Sequence, residues 1–312
     1  MGRFVEYFLL VLAVACIAGQ FSTNKVYQKK FVSGLADMLF FPFMSGAVNV
    51  LFFTLLGFFL YGGLPHFSVF SLFISIAIAF VSTSSCLIGI LIMKYGKMAV
   101  YSVFMMLGGM ILPYFYGVLF LGETVSAARI AGLAILICAL PCSAVNPDKS
   151  GKQAETSQPP FFYFLCILIF ILNGCMSILS KAHSINDAAV PAANLLVYTN
   201  LWQTVINGAA FFIFTRILKK TTTPGNTPQA GQVKPQAVLT IAVFAVVSGV
   251  GGLFLLIAAE SVPAVMLYPF VTGGSIVLST LAARIFFKEK LSPLALTGII
   301  MSFAGTLLFL IT

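Results

Sequence analysis

Charge is what this sequence has least of. Of its 312 residues only 8% are Asp, Glu, Lys or Arg, against roughly 25% in an ordinary soluble domain. Eight acidic and 17 basic side chains cannot coat a soluble fold of this size. A soluble enzyme and a disordered chain are excluded on that ground. Catalytic groups are scarce too. There are two His and one Trp, and no GxxxxGK[ST], HExxH or GxSxG occurs, so the chain carries neither an ATP engine nor a hydrolase elbow. The six cysteines (Cys16, Cys86, Cys138, Cys142, Cys166 and Cys175) sit in apolar runs without a CxxC pair. They read as small packing residues, not as a disulfide scaffold. No metal and no cofactor is expected. The basic residues are scattered over connections, which leaves nucleic acid no platform.

What is abundant is apolar. The chain is 60% hydrophobic, with 32 Phe. A membrane helix needs about 20 mostly apolar residues. Ten runs qualify: Val5–Ser22, Met38–Tyr61, Phe67–Met93, Met98–Leu121, Val125–Val145, Phe161–Ser180, Ala188–Ile217, Val238–Ala259, Val262–Phe287 and Pro293–Ile311. Val14-Ala15-Cys16 resembles a lipoprotein cleavage box, but the first run is read as a membrane helix. The expected fold is an all-α membrane protein with ten transmembrane helices. A polar, Pro-bounded linker over 146–160 divides it into 1–145 and 161–312, and a second polar stretch, Lys219 to Gln236, reads as an aqueous loop.

With ten spans, the termini and the even-numbered loops share one side. That side holds Arg3, Arg129 and Lys181, while the odd-numbered loops hold the other fourteen basic residues. Cytoplasmic loops retain Lys and Arg. The odd loops are therefore expected inside and both termini outside, in a multi-pass protein of the cell's inner (plasma) membrane.

The halves also resemble each other. Ala99-Val100…Gly108-Gly109 recurs as Ala264-Val265…Gly273-Gly274, at an offset of 165. Glu123-x-x-Ser126…Gly132 recurs as Glu289-x-x-Ser292…Gly298, at 166. Five is odd, so a second five-span copy enters the membrane inverted, the layout of many secondary transporters. These elements resemble the EamA-like branch of the drug/metabolite transporter superfamily. So do the small-residue ends Gly19-Gln20…Lys25 and Asn173-Gly174…Lys181. The resemblance covers about 8 to 311. It implies a 5 + 5 inverted repeat around a cavity lined mainly by spans 1, 3, 4, 6, 8 and 9. Members carry amino acids, metabolites, drugs, nucleotide sugars or phosphorylated sugars. The loop Gly62-Gly63-Leu64-Pro65-His66 lacks the basic residues of many bacterial relatives.

Polar residues at membrane depth serve partners or cavities. Gln20 and Asn24 are spaced i, i+4 in span one, and Asn173 and Ser177 repeat that spacing in span six. With Ser82 and Ser85, and with Tyr101 and Tyr268 of the matching spans four and nine, they form the expected substrate site. Pro113 and Pro269 are placed to free carbonyls toward it. Glu6 and Glu260 are the coupling or gating candidates. Glu123 and Glu289 read as caps at helix starts, and His66 and His183 as solvated loop residues. Anionic substrates rank lower, because among basic residues only Lys25 and Lys181 are suitably placed. The expected function is a secondary transporter for a small neutral, zwitterionic or cationic organic solute, not an enzyme. A proton-coupled multidrug exporter is the alternative. A membrane-embedded lipid-modifying enzyme ranks last, because the acids do not cluster. The expected partners are the solute and the lipid bilayer, and a monomer suffices.

Overall fold

A backbone in hydrocarbon must satisfy its own hydrogen bonds, and an apolar chain does so by coiling into helices. The computed structural model describes residues 3–32, 34–61, 66–95, 98–144, 160–221, 235–287 and 293–309. Among them are ten helices and no strand: α1 (Arg3–Phe31), α2 (Leu35–Tyr61), α3 (Val69–Tyr95), α4 (Met98–Phe120), α5 (Ala127–Ala144), α6 (Pro160–Ser184), α7 (Ala192–Thr221), α8 (Pro235–Ser261), α9 (Ala264–Phe287) and α10 (Pro293–Leu308). Seven are long and apolar enough to cross a membrane. The apolar runs of α5 and α10 are shorter, and α7 carries Asn194, Asn200, Gln203 and Asn207.

The surface identifies the solvent. Phe59, Phe73, Phe80, Phe120, Ile285 and Phe286 are all exposed, on four different helices. So much outward aromatic surface is a liability in water and a match for lipid tails. The chain is an all-α, multi-pass membrane protein.

The first helix departs from the sequence reading. It continues to Phe31, beyond the expected end at Ser22. The hydroxyls at the start of its polar tail are satisfied within the helix: Ser22 Oγ donates to the Ala18 carbonyl (3.0 Å) and Thr23 Oγ1 to that of Gly19 (2.7 Å). Tyr27 then anchors the tail, buried beside Phe41 with ring centroids 4.6 Å apart.

The helices interlock. α1 lies along α8 and α9, and α6 lies along α3 and α4. α2 pairs with α7, α5 with α10 and α4 with α9. The largest core joins Leu10 and Val14 of α1, Met110 and Tyr114 of α4, Leu136 of α5 and Leu267 of α9. Helix α9 is buried without a break from Ala264 to Val271. α6 and α7 also reach α8, whereas among the described residues α1 and α2 make no comparable contact with α3.

Candidate functional site

The polar chemistry gathers on one stripe of α6. Asn173, Ser177 and Lys181 are spaced i, i+4, i+8 and share a face. Asn173 Nδ2 donates to the Met105 carbonyl of α4 at 2.6 Å. Ser177 Oγ reaches the Gly109 carbonyl at 3.4 Å. Gly109 lies four residues before Pro113, whose ring nitrogen cannot take that carbonyl in the helix ladder. Proline thus frees an acceptor and the serine meets it. From α9, the Tyr268 hydroxyl donates to the Ser177 carbonyl at 2.6 Å. The approach of α4 to α6 depends on glycine: a Cβ on Gly108 would collide with the Phe170 carbonyl, and one on Gly174 with Leu112.

Lys181 continues the stripe and is 3% exposed. Its ammonium donates to the carbonyls of Ala259 (2.6 Å) and Val262 (2.8 Å), where α8 ends. A cation suits the carbonyl end of a helix. This side chain is thereby committed to the backbone and is not held out to an anionic substrate, as the sequence had allowed.

Glu123 grips the other side of the same turn. Its two carboxylate oxygens accept from the amides of Ala264 and Val265, both at 2.8 Å. The sequence placed it as a cap at a helix start. The structure puts it on the start of α9, while Ser126 caps α5 through the Arg129 amide at 3.3 Å. A single sequence gives no means of telling a near cap from one 141 residues away.

A second cluster lies at the same end of the bundle. Ser71 Oγ lies 2.9 Å from His183 Nε2 and accepts from the Val190 amide at 3.0 Å. Ser68 Oγ donates to the Ala188 carbonyl at 2.7 Å, and the Tyr198 hydroxyl to that of His66 at 2.5 Å. His183 is 2% exposed and stacks on Phe70, with centroids 6.0 Å apart. The expectation of a solvated loop histidine is wrong for His183, because α6 runs on through Ser184 and carries the ring inward. It holds for His66, which is exposed.

The remaining expected residues stand apart from this network. Gln20 and Ser82 are half-buried, and their side chains make no hydrogen bond among the described residues. Asn24 Oδ1 accepts from Gln28 Nε2 at 3.3 Å, and Ser85 Oγ donates to the Val81 carbonyl at 2.8 Å. The backbone of Tyr101 is helical, but its side chain lies outside the described residues, as do Glu289 and Ser292. Glu6 is half-buried in the first turn of α1, and Glu260 is exposed in the last turn of α8. The structure brings Asn173, Ser177 and Tyr268 together.

Sequence reasoning missed the polar face of α7. Asn207 Nδ2 donates to Thr83 Oγ1 of α3 at 3.3 Å, and both residues are buried. Among the described residues Asn194, 1% exposed, has neither amide atom partnered, and Asn49 Oδ1 is likewise orphaned. The signal was present in the polar residues 200, 203 and 207, spaced along one helix face.

No family model matches the chain, and no curated protein matches it in sequence. Among solved structures 28 chains match. One crystal structure superposes with a TM-score of 0.73 at 13% identity, over 98% of this chain and 96% of that one. Identity so low speaks for the fold alone.

Proposed function

We propose that the chain is a secondary transporter of the EamA-like, drug/metabolite type. Its ten helices cross the membrane as two inverted halves, 1–145 and 161–312, and carry a small neutral, zwitterionic or cationic organic solute by alternating access. The observation that carries this reading is an exchange symmetry in the helix pairing. Replacing each of α1–α5 by the helix five places later, and the reverse, turns α1·α8 into α6·α3, α1·α9 into α6·α4 and α2·α8 into α7·α3. The pairs α2·α7, α4·α9 and α5·α10 map onto themselves, and every one of these contacts occurs. Two equivalent halves of odd helix number are related by an axis in the membrane plane, and such halves can rock about a site between them.

The substrate groups are Gln20 and Asn24 on α1 with Ser82 and Ser85 on α3. Among the described residues two of these side chains are free of bonds and the two helices share no extensive contact. The groups lack fixed charge, which disfavours anionic solutes. The protein performs no covalent chemistry in this reading. It sits in the plasma membrane with its basic odd-numbered loops inside and its termini outside. The exporter alternative draws on Glu6, a half-buried carboxylate at the start of α1.

Purified full-length protein in liposomes, offered labelled neutral metabolites, amino acids and cationic dyes, tests the reading. Uptake of at least one class is expected, reduced about tenfold by Gln20→Ala, the scale of one lost hydrogen bond. Absence of flux for every class would refute it.

A further inference from the structure

At one end of the bundle several hydrogen bonds join the halves. The connections 66–68, 121–126, 185–191 and 262–263 all meet there. Lys181 fixes the carbonyl end of α8 and Glu123 occupies the first amides of α9, so the two opposite charges clamp both sides of one turn. Glu123 comes from the first half and α9 from the second. Space for the carboxylate is reserved by Gly117, where a Cβ would collide with Glu123 Oε2 and meet the Ala264 Cβ at 3.1 Å. The Glu123 amide also donates to the Gly117 carbonyl at 3.0 Å, which fixes the turn that presents the side chain.

The helix pairing gives independent support. The exchange symmetry is broken where α6 and α7 reach α8, because the equivalent meetings of α1 and α2 with α3 have no comparable extent among the described residues. Lys181 and Ala259, which join α6 to α8, lie at the clamped end. Two halves that are equivalent by chain but unequal by contact are the signature of one state of a rocking pair.

We propose that Glu123 is the latch of this gate: its carboxylate, seated on the α9 amides, holds this membrane face closed, and it must leave them for the face to open. The proposal rests on the transporter reading, and its test needs no substrate. The full chain, with its six native cysteines replaced, is spin-labelled at exposed Thr124 and Ser261 and reconstituted in liposomes. The parent chain is expected to give one short, narrow distance distribution. Glu123→Ala should raise a longer-distance population about tenfold, the scale of one charge-assisted hydrogen bond. Gly117→Ala, which displaces the carboxylate by crowding, should do the same, and it serves if Glu123→Ala does not fold. Asp187→Asn, an exposed carboxylate at the same end of the bundle and outside the clamp, should change nothing. An unchanged distribution in a folded Glu123→Ala or Gly117→Ala chain overturns the latch, and so does equal broadening by Asp187→Asn. Opening at the latch without flux of any solute would overturn the transport reading and leave the latch standing.

Discussion

Replacing Gly108 by alanine tests whether α4 and α6 form one rigid joint. The added Cβ would lie 2.7 Å from both the Cα and the carbonyl carbon of Phe170 and would collide with its oxygen. Carbon atoms rest at about 3.5–4.0 Å, so the helices must part by about 1 Å. The obstructing atoms are backbone, which cannot rotate away. Overpacking of this kind costs about 1–3 kcal/mol, and the upper part of that range applies. Separation also strains the 2.6 Å bond from Asn173 to Met105 and the weaker one from Ser177 to Gly109, together worth about 1–2 kcal/mol. At roughly 2–4 °C per kcal/mol, the midpoint should fall by about 6 °C or more. Thermal unfolding of the purified protein in one detergent, followed by circular dichroism, reads it. Gly252→Ala is the matched control. Its Cβ would meet only Leu196 Cδ2 at 3.8 Å, an ordinary contact, and alanine favours a helix by about 0.5–1 kcal/mol over glycine. That midpoint should hold or rise slightly. If Gly108→Ala leaves the midpoint where Gly252→Ala does, the close approach of α4 and α6 is not a stability joint and the reasoning fails.

Asn194→Leu is expected to raise the unfolding midpoint, because a buried amide with neither atom bonded costs about 1–3 kcal/mol; a lower midpoint would mean that an unseen partner satisfies it. Lys181→Met keeps the length but strands two carbonyls at the end of α8, and a midpoint lowered by the loss of about 1–3 kcal/mol is the expected result in the same melt. His183→Phe should preserve the stack on Phe70 and lose the bond to Ser71, lowering stability by about 1 kcal/mol. Gln20→Ala and Asn173→Ala should separate: the first should reduce solute flux with little change in melting, and the second should lower the midpoint through the lost Met105 bond. Equal effects of both on both readouts would deny them different roles.

Much of the fold was legible because its causes are local. An apolar run long enough to cross a bilayer must be a helix, so the helix starts at Met98, Pro160 and Pro293 lie within a residue of where the apolar runs begin. Departures occur where a distant partner decides the outcome. The tail of α1 looks polar from Lys25 to Lys30, yet Tyr27 finds Phe41 on α2 and carries the helix on. The site was less legible for the same reason. Asn173 and Ser177 were singled out for their spacing, but spacing cannot tell a group that faces a neighbouring carbonyl from one that faces a gap. Glu123 was read as a near cap because only the near helix start is visible along the chain. Lys181 and His183 were assigned to a loop because their polarity was weighed without the α8 carbonyls and the Ser71 hydroxyl that receive them.

The scarcity of charge gives these few placements their meaning. In hydrocarbon a polar group left unpaired is costly, so each one retained must have a partner or a water-filled space. The side chains of Asn173, Ser177, Lys181, Glu123 and His183 have partners, almost all on a different helix, and several of those partners belong to the other half. They hold helices against each other, Lys181, Glu123 and His183 at one end of the bundle and Asn173 nearer the middle of α6. The side chains of Gln20 and Ser82 make no such bonds among the described residues, where α1 and α3 also share no extensive contact. In the proposed transporter, bonded groups of this kind fasten helices, and the unbonded side chains of Gln20 and Ser82, on α1 and α3 of the first half, are the ones left for the solute.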